Sequence, residues 1–229
     1  MFAKLFNGWF GEKMVQFNFW LKLDKNIYRR CHNVIVPLAN GTTQIDHILV
    51  SIYGIFVVET KNFNGWIFGN EKDSQWTQSF PGGNKFRFQN PLHQNYRHTK
   101  CLAEYLGVPH EVFHSVIFFI GDCQIKTALP SNVMTHGSAA YIKSFTQPLI
   151  QPEEVQSIVE RLQNTKDCQS YFSHLNSLNM RHQSTTVCPN CGGVLIERTA
   201  RKGMNAGNQF LGCSNYPDCR FIKKSDWTN

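Results

Sequence analysis

Hydrophobic and polar positions along the chain predict an ordered series of strands and helices. The segment 44–62, QIDHILVSIYGIFVVETKN, has the apolar runs of two strands joined by a short turn. The other predicted strands span 33–38, 65–80 as a hairpin, 115–121 and, more weakly, 140–145, with a loop over 80–90. Predicted helices span 12–23, Pro91 to about Leu106, and 151–164, the last two with an early proline.

This order of elements predicts the domain organisation. A helix, three strands, a helix and a strand indicate an α/β domain with a mixed central sheet covered on both faces. From Thr165 to Thr186 the sequence is polar and lacks periodicity, which is typical of a linker. We therefore expect a first domain at 1–164, a linker at 165–186 and a small second domain at 187–229.

Composition and charge narrow the class of protein. The chain is 41% hydrophobic and 17% charged, as soluble globular proteins are, and its formal net charge is +7. Seven Lys and Arg against three Asp and Glu follow residue 180, a net +4 that favours a polyanionic partner there. The sequence has no apolar run of about 18 residues, and its start, MFAKLFNGWFGEKM, is a poor signal peptide. We expect a cytoplasmic protein, and association with the nucleoid is compatible with the sequence.

Three ionisable residues interrupt the apolar segment 44–62. Glu59 and Lys61 point the same way because side chains alternate along a strand. If Val50 pairs with Ile55, Asp46 falls directly opposite Glu59, with Cβ atoms about 4.5–5.5 Å apart. Like charges repel at that separation, and a bound hard cation such as Mg²⁺ resolves the conflict. The pattern predicts an acidic metal site, with Lys61 placed to orient or help deprotonate a metal-bound water.

A structural alternative stays open for the same residues. The register is an assumption, since a bulge at Gly54 would move Asp46 to the other face. A Glu–Lys pair at a sheet end, with an aspartate at a strand entry, needs no metal. The D…ExK pattern is short and common, so it does not separate the two interpretations.

The sequence blocks around this hairpin resemble a known family. GEKMV, then GTTQIDHILVSIYGIFVVETKNFNGWIFG, then QNPLHQN are similar to the nuclease-related (NERD) domain, a branch of the PD-(D/E)xK nuclease superfamily. The similarity spans about residues 11–106 in separate blocks, so it is more specific than the three charges alone. It implies a restriction-endonuclease-like α/β fold, with a mixed central sheet of three or four strands flanked by helices, and metal-dependent cleavage of phosphodiester bonds.

The resemblance also implies roles by position. Asp46 and Glu59 match the metal-binding acids for Mg²⁺ or Mn²⁺, and Lys61 matches the catalytic lysine. Glu12 matches the acid of the first helix, and the block Gln89, Asn90 and Gln94 matches the polar residues after the sheet. The expected catalytic set is Glu12, Asp46, Glu59, Lys61 and Gln94. Gln44 departs from the family, which often has an acid just before IDH, but the departure leaves this set whole.

Four of the eight cysteines cluster near the C-terminus. Cys188 and Cys191 are separated by two residues, and Cys213 and Cys219 by five. Two such pairs with a strand-like insert suit a tetrahedral four-thiolate Zn²⁺ site, and nearby glycines suit the tight turns. Disulfides or idle thiols are the alternative, which the scattered remaining cysteines and the poor signal peptide disfavour. The spacing predicts one structural Zn²⁺.

The cysteine block resembles a second family. CPNCGG, FLGCSNYPDC and the basic tail, Val187–Lys224, are similar to the four-cysteine zinc finger repeated at the C-terminus of bacterial type IA DNA topoisomerases, whose role is single-stranded DNA binding. The expected DNA-binding residues are Lys85 and Arg87 in the 80–90 loop, and Arg198, Arg201, Lys202, Phe210, Tyr216 and Arg220 in the finger. For the aromatic residues, packing around zinc is an equal alternative. No topoisomerase activity follows from the finger alone.

A further motif points elsewhere. HEVFH at 110–114 fits the H-E-x-x-H pattern of zinc proteases, which requires a helix. Gly107 and Pro109 precede it and a β-rich run follows at once, so the sequence argues against that helix.

Two functional classes follow from these features. The first is a metal-dependent DNA endonuclease that the zinc finger delivers to its substrate, in DNA processing, repair or defence. The second is a non-catalytic DNA-binding protein on a nuclease-like scaffold. The intact Asp46, Glu59 and Lys61 favour the enzyme. RNA stays open as a substrate because no residue is dedicated to the 2′-hydroxyl, and DNA strandedness and oligomeric state are not fixed either.

Overall fold

The chain divides into two compact units. A computed structural model describes residues 22–38, 41–168, 184–189, 193–217 and 219–224. The first unit comprises the described residues of 1–36 and 44–168, and the second comprises those of 37–43 and 169–229. No helix within the described ranges is long and apolar enough to cross a membrane. The boundaries expected at residues 164 and 187 stay a prediction, since most of the intervening segment lies outside the described residues.

The elements of the first unit follow one another closely. In chain order they are β1 (Arg29–Leu38), β2 (Gly41–Ser51), β3 (Gly54–Asn62), β4 (Gly65–Phe68), β5 (Gln75–Ser79), β6 (Lys85–Gln89), α1 (Pro91–Leu106), a 3₁₀ turn (His110–Val112), β7 (Phe113–Ile120), β8 (Cys123–Ile125), β9 (Val133–Met134), α2 (Ser138–Lys143) and α3 (Pro152–Cys168). The central sheet has the order β1-β2-β3-β7-β9. β2 and β3 pair antiparallel, whereas β3–β7 and β7–β9 pair parallel. The predicted mixed α/β fold is confirmed, with more strands than the resemblance implied.

Apolar side chains cover both faces of the central sheet. On one face, Ile48 and Val57 pack with residues of α1 and α3. On the other, Leu49 and Phe56 pack with residues of α2. Complete burial of such a side chain is worth about 1.5–3 kcal/mol, so the two clusters together fix which residues of β2 and β3 point which way.

The β2–β3 hairpin has the predicted register. Its paired residues are Ser51–Gly54, Val50–Ile55, Leu49–Phe56, Ile48–Val57 and His47–Val58. Gly54 has a φ of +124°, and a Cβ there would lie 2.7 Å from Nε2 of His114 and from the carbonyl oxygen of Val112. A residue with a side chain would therefore strain this tight turn.

A second sheet lies beside the first, in the order β6-β5-β4-β8. The predicted hairpin at 65–80 is present as β4 and β5. The loop expected over 80–90 is wrong in its second half, where β6 pairs with β5. Phe88 of β6 lies 4.7 Å from Phe63 and 6.3 Å from Trp76 between ring centroids. The glycines before this segment suggested a loop. The aromatic packing of Phe88 explains why the segment is a strand instead.

The helices agree with the sequence except at one place. α1 and α3 occupy the predicted segments, and most of the helix expected over 12–23 lies outside the described residues. The weak strand expected near 140–145 is wrong, because this segment is α2. Ala139 and Ile142 are its buried apolar residues, and their separation of three positions is helical rather than strand-like.

The H-E-x-x-H pattern does not lie on an α-helix. Its first residues form a three-residue 3₁₀ turn, and β7 begins at Phe113. Nε2 of His110 contacts the hydroxyl of Thr99 at 2.8 Å, whereas Nε2 of His114 contacts the carbonyl of Tyr53 at 3.0 Å. The two rings have different partners, and the expectation that this motif does not lie on an α-helix is confirmed.

The second unit contains a small antiparallel sheet. β10 (Leu195–Thr199) pairs with β11 (Gln209–Cys213), which pairs with β12 (Ile222–Lys224). Its core consists of three buried cysteines and Leu195, with Leu211 and Phe221 packed against them. So few apolar side chains are characteristic of a domain stabilised by a metal ion.

Candidate active site and zinc centre

The end of β3 presents Glu59 and Lys61 on one face. They are two positions apart, and Nζ of Lys61 donates to Oε1 of Glu59 at 2.6 Å. Glu59 is almost fully buried, at 4% exposure, whereas the Lys61 side chain is 20% exposed. The ammonium group therefore lies between a buried carboxylate and the solvent.

Helix α1 places two polar side chains against this pair. Oε1 of Gln94 accepts a hydrogen bond from Nζ of Lys61 at 3.0 Å. One turn later, Nε2 of His98 lies 3.5 Å from Oε2 of Glu59 and 3.4 Å from Nε2 of Gln94. Residues four apart share a helix face, so the four side chains form a closed ring of contacts. We call Glu59, Lys61, Gln94 and His98 the acid–lysine cluster.

The contacts within the acid–lysine cluster fix the orientation of the Gln94 amide. Lys61 can only donate, so the amide oxygen of Gln94 faces Lys61 and its amide nitrogen faces His98. Nε2 of His98 then lies between an amide donor and the carboxylate of Glu59. The carboxylate contact suits a proton on Nε2 of His98, whereas the amide contact suits an acceptor there, so the two contacts call for different tautomers of His98.

Glu59 is held in its ionised form by these partners. Burial by itself raises the pKa of Glu59, but hydrogen bonds and positive charge from His98 and Lys61 outweigh it and lower the pKa to about 2. An ionised buried carboxylate is an oxygen ligand that hard divalent cations favour.

The start of α1 is built by Asn90. Its side-chain oxygen accepts a hydrogen bond from the amide of Leu92, and Pro91 occupies the first helical position. Its amide nitrogen also approaches the carbonyl oxygens of Asn70, Glu71 and Asp73, at 3.2, 3.1 and 2.7 Å. One buried asparagine thus fixes both the helix that carries Gln94 and the loop before β5.

Asp46 has a different neighbour from the one that an unbroken register predicts. Its Oδ2 accepts a hydrogen bond from the hydroxyl of Thr60 at 3.1 Å, and Thr60 alternates with Glu59 along β3. Ile45 packs in the same cluster as Ile48, three positions later. The alternation of side chains between the two faces is therefore interrupted between Ile45 and Ile48. An extra residue in a strand, a β-bulge, has this effect. The expected Asp46–Glu59 opposition is replaced by an Asp46–Thr60 contact.

His47 lies at the same break and is fully buried. Its Nδ1 is 2.9 Å from Nδ1 of His32, and the two rings meet edge to face. Burial, with help from His32 and against the charge of Glu59, lowers the pKa of His47 to about 3. Both imidazoles cannot donate across this contact, so at most one ring carries a proton on the facing nitrogen.

The structure brings together part of the predicted catalytic set. Glu59, Lys61 and Gln94 are in direct contact, Asp46 contacts the intervening Thr60, and Glu12 lies outside the described residues. The sequence analysis assigned no role to His98. Its spacing of four from Gln94 on a helix was the signal that marks it as a neighbour.

The described residues suit a divalent cation only in part. Groups of three or more His, Cys, Asp or Glu ligand atoms within 4.8 Å of one another are limited, in the part of the chain that is described, to one set of cysteines. Mg²⁺ needs just one or two carboxylates, because waters and substrate oxygens complete its shell. Glu59 alone supplies one such carboxylate, so its chemistry fits the ion, whereas Asp46 contacts Thr60 and lies outside the acid–lysine cluster.

The buried cysteines fit a zinc ion. Sγ of Cys188 is 3.7 Å from Sγ of Cys219, and Cys213 completes a buried triplet. A disulfide would hold two sulfurs about 2.05 Å apart. Four sulfurs at about 2.3 Å from a tetrahedral Zn²⁺ lie about 3.8 Å from one another. The triplet therefore fits a structural zinc site, and the predicted fourth ligand, Cys191, lies outside the described residues.

An open groove of about 880 Å³ crosses the outer face of the three-stranded sheet. The predicted residues that line it are Arg198, Arg201, Phe210, Tyr216 and Arg220, whereas Lys202 is exposed beside them. The guanidinium of Arg198 stands 5.6 Å from the ring centre of Tyr216, which is 59% exposed. Phe221 lines the groove as well and packs against the cysteine core. The DNA-binding role of Phe210 and Tyr216 stays a prediction.

The remaining predicted DNA-binding residues are in the first unit. Lys85 and Arg87 are both exposed on β6, two positions apart and on one face of the second sheet. No contact joins them to the acid–lysine cluster in the described residues.

A mixed α/β core with an acid–lysine cluster at a strand end, followed by a cysteine-ligated ribbon, defines a nuclease-like protein with a zinc finger. The nuclease-related domain matches residues 7–120, and the topoisomerase DNA-binding C4 zinc finger matches residues 185–227. The chain belongs to the nuclease-related domain family and carries a topoisomerase-type C4 zinc finger.

Several proteins resemble the chain. An uncharacterized protein of Bacillus anthracis is 40% identical over 154 residues, which cover 65% of this chain and 71% of that protein. DNA topoisomerase 1 of Archaeoglobus fulgidus is 56% identical over 34 residues, and that of Mycoplasmoides gallisepticum is 49% identical over 39. These cover 15% and 17% of this chain but only 4% and 5% of the topoisomerases. No solved structure matches the chain.

Proposed function

We propose that the first unit is a divalent-metal-dependent DNA nuclease and that the zinc ribbon binds its substrate. The observation that carries this proposal is the acid–lysine cluster itself. A buried carboxylate, a partly exposed ammonium, an amide and an imidazole converge from β3 and α1 within a family that is nuclease-related.

The residues of the cluster divide the work. Glu59 would hold Mg²⁺ or Mn²⁺, and Asp46, which contacts Thr60 on the other face of β3, would have to turn from it to join Glu59 at the ion. The bound ion would supply a polarised water and positive charge for the scissile phosphate. Lys61 faces the solvent side of Glu59, so its ammonium can donate a hydrogen bond to a phosphate oxygen or to the oxygen of the attacking water. Water adds to phosphorus, the bond to the leaving oxygen breaks, and the leaving oxygen takes up the proton that the water loses. Gln94 and His98 orient Lys61 and Glu59 for these contacts.

The ribbon supplies affinity for the nucleic acid. Arginines along its groove can contact phosphates, and the exposed ring of Tyr216 can stack on a base. Binding is then expected to weaken steeply with salt, because each neutralised phosphate releases counterions.

The proposal is tested by nicking of supercoiled plasmid DNA with added Mg²⁺ or Mn²⁺. Wild type is compared with Asp46→Ala, Lys61→Ala and Gln94→Ala, and with Lys72→Ala as a matched control on an exposed turn. We expect Asp46→Ala and Lys61→Ala to lose activity by about 10²–10⁴-fold, and Gln94→Ala to lose less because it acts through Lys61.

Folding and metal dependence complete the test. Each variant should keep the thermal transition of the wild type within a few degrees, and Lys72→Ala should nick like the wild type. Equal nicking by all variants would refute catalysis at this cluster. Binding without any nicking would instead favour the alternative of a non-catalytic DNA-binding protein.

A further inference from the structure

The second sheet of the first unit has an outer face on which two large aromatic side chains are partly exposed. Along β4, Ile67 is fully buried, whereas Trp66 and Phe68 on either side are 37% and 39% exposed. On β5, Trp76 is buried on the inner side of the sheet. On β8, Gln124 is exposed between two half-buried residues, so its side chain points to the outer side. Two large rings therefore stand on the side of the sheet that faces away from its core.

Basic residues share this face. β6 adds Lys85 and Arg87, which alternate with the inward Phe88. Just after β8, Nζ of Lys126 lies 5.6 Å from the centre of the Trp66 ring. The four strands, with sequences GWIF, QWTQS, KFRFQ and CQI, contain no acidic residue. We call Trp66, Phe68, Lys85, Arg87 and Lys126 the aromatic–basic face.

The strand register sets these groups in two rows. One row runs Gln124–Trp66–Ser79–Lys85, and the other runs Phe68–Thr77–Arg87. In each row a ring and a cation are separated by two strand spacings, about 10 Å. That distance leaves room for the sugar of a nucleotide between a base on the ring and a phosphate on the cation.

The spacing of the two rings selects the form of nucleic acid. Trp66 and Phe68 are two strand positions apart, about 6.6–6.8 Å. Bases stacked in a duplex strand rise by about 3.4 Å, half that distance. Each ring can therefore meet a base only where the bases are unstacked, as in an extended single strand, in which aromatic side chains on a sheet stack on successive bases.

We propose that the aromatic–basic face binds single-stranded DNA at a site separate from the zinc ribbon. The inference deepens the proposed function, on which it rests for the choice of DNA. A second copy of this chain is a poorer occupant, because a self-complementary contact would set Lys85, Arg87 and Lys126 against their own copies. A strand bound here would be held by the same unit that carries the acid–lysine cluster.

The test measures the binding of fluorescent oligo(dT) by anisotropy, with full-length protein and without added metal or chelator. All variants carry Lys61→Ala, so that no cleavage confuses the affinity. Trp66→Ala combined with Phe68→Ala is made alone and together with Arg198→Ala and Tyr216→Ala, which weaken the ribbon's contribution. We expect at least a tenfold loss of affinity in the ribbon-weakened protein, since each lost stack is worth about fivefold or more.

Two further sets of variants test the basic residues and the direction in which the rings point. Lys85→Gln with Arg87→Gln should reduce the slope of log affinity against log salt by about 0.7 for each lost phosphate contact. Phe86→Ala is the matched control, because Phe86 is 58% exposed on the same strand but points to the opposite face. It should leave affinity unchanged, and Trp66→Phe should restore most of the loss.

Each result decides the proposal independently of nuclease activity. Loss of binding in the ring variants, with thermal transitions and zinc content unchanged, supports the face even if the wild type never nicks DNA. Affinity within twofold of the parent in both backgrounds overturns it, even if the wild type is an active nuclease. If the ring variants lose affinity for duplex DNA as strongly as for oligo(dT), the single-strand assignment is overturned. If they lose affinity only for oligo(U), the ligand is RNA and the DNA assignment is overturned. Loss of self-association alone would make the face a protein interface and overturn the proposal.

Discussion

Three successive residues of β3 have three different partners. Glu59 and Lys61 contact each other and α1, and the hydroxyl of Thr60 between them reaches Asp46. A strand end is suited to this, because alternation sends neighbouring side chains to opposite faces at little cost in backbone geometry. The candidate site therefore uses both faces of one strand.

Asn95 shows how strongly the site depends on α1. It is fully buried, and its Nδ2 donates to the carbonyl of Val57 and to the hydroxyl of Ser115, both at 2.8 Å, while its Oδ1 has no hydrogen-bond partner. We predict that Asn95→Ala lowers the free energy of unfolding by about 1–3 kcal/mol, since it leaves buried acceptors unsatisfied. Chemical denaturation measures this.

The control for Asn95 is an asparagine without a buried role. Asn84→Ala, in an exposed turn, should change the free energy of unfolding by no more than about 0.5 kcal/mol. Equal effects of the two substitutions would contradict the anchoring role of Asn95.

His114 makes stability depend on pH. Burial lowers its pKa, although the hydrogen bond to the carbonyl of Tyr53 acts in the opposite direction. The unfolded chain, with a pKa near 6.5, then binds more protons than the folded one as the pH falls below that value. We predict that its stabilising contribution is complete above about pH 6.5 and declines below it.

The substitution His114→Gln tests this sign. It keeps a donor for Tyr53 but cannot titrate, so the free energy of unfolding should fall less steeply between pH 7 and 5 than in the wild type. One fewer proton lowers the slope by up to about 1.4 kcal/mol per pH unit. Parallel curves for the two proteins would exclude His114 as a contributor.

At the scale of single residues, sequence reasoning reached the chemistry but not all of the geometry. Glu59, Lys61 and Gln94 were predictable because period-two and period-3.6 spacing determine which residues share a face. The neighbour of Asp46 was not predictable from this spacing. The interruption between Ile45 and Ile48 depends on how apolar residues pack on each of the two faces of the central sheet. The role of each residue in catalysis stays a prediction.

Among the elements, α1 connects stability to the site through its first residue. Asn90 supplies both an acceptor for the helix amide and a donor to three loop carbonyls. We predict that Asn90→Ala costs about 2–3 kcal/mol, more than the roughly 1 kcal/mol of an ordinary N-cap. Thermal and urea unfolding measure the loss.

Asn90→Asp separates the two roles of this residue. Its carboxylate can still accept from the amide of Leu92, and a negative charge suits a helix start, so the cap persists. It cannot donate to the loop and repels the carbonyls of 70–73. We expect Asn90→Asp to be destabilised as well, whereas wild-type stability would show that only the cap matters.

The elements that sequence reasoning missed share a physical cause. β6 follows two glycines and α2 is only six residues long, so local pattern is weak at both. Tertiary partners decide them: Phe88 packs with two aromatic rings, and Ala139 with Ile142 covers the sheet. Longer segments such as α1 and α3 carry enough periodicity to be predicted alone.

At the scale of the whole molecule, loss of zinc is expected to leave the first unit folded. The ribbon core has few apolar residues beside its cysteines, so binding of zinc supplies most of its folding free energy. We predict that a chelator unfolds the ribbon, weakens DNA binding and leaves the thermal transition of the first unit in place. Circular dichroism, zinc release and anisotropy measure these three effects.

Two cysteine variants give the matched comparison. Cys213→Ser removes a buried member of the triplet, whereas Cys101→Ser changes a cysteine of α1 in the first unit. The first should lose zinc and DNA affinity, and the second should keep both. Full affinity in zinc-free protein would contradict a role of the ribbon in binding.

The spacing of Glu59 and Lys61 also limits how this chain can evolve. Substitutions at the surface of β3 change single contacts, but the insertion or deletion of one residue between Glu59 and Lys61 would turn one of these two side chains to the other face. The register with β7, which pairs Glu59 with Ile117 and Lys61 with Phe119, would shift at the same time. Relatives that keep the cluster should therefore vary in length at exposed turns such as 81–84, and not between these two residues.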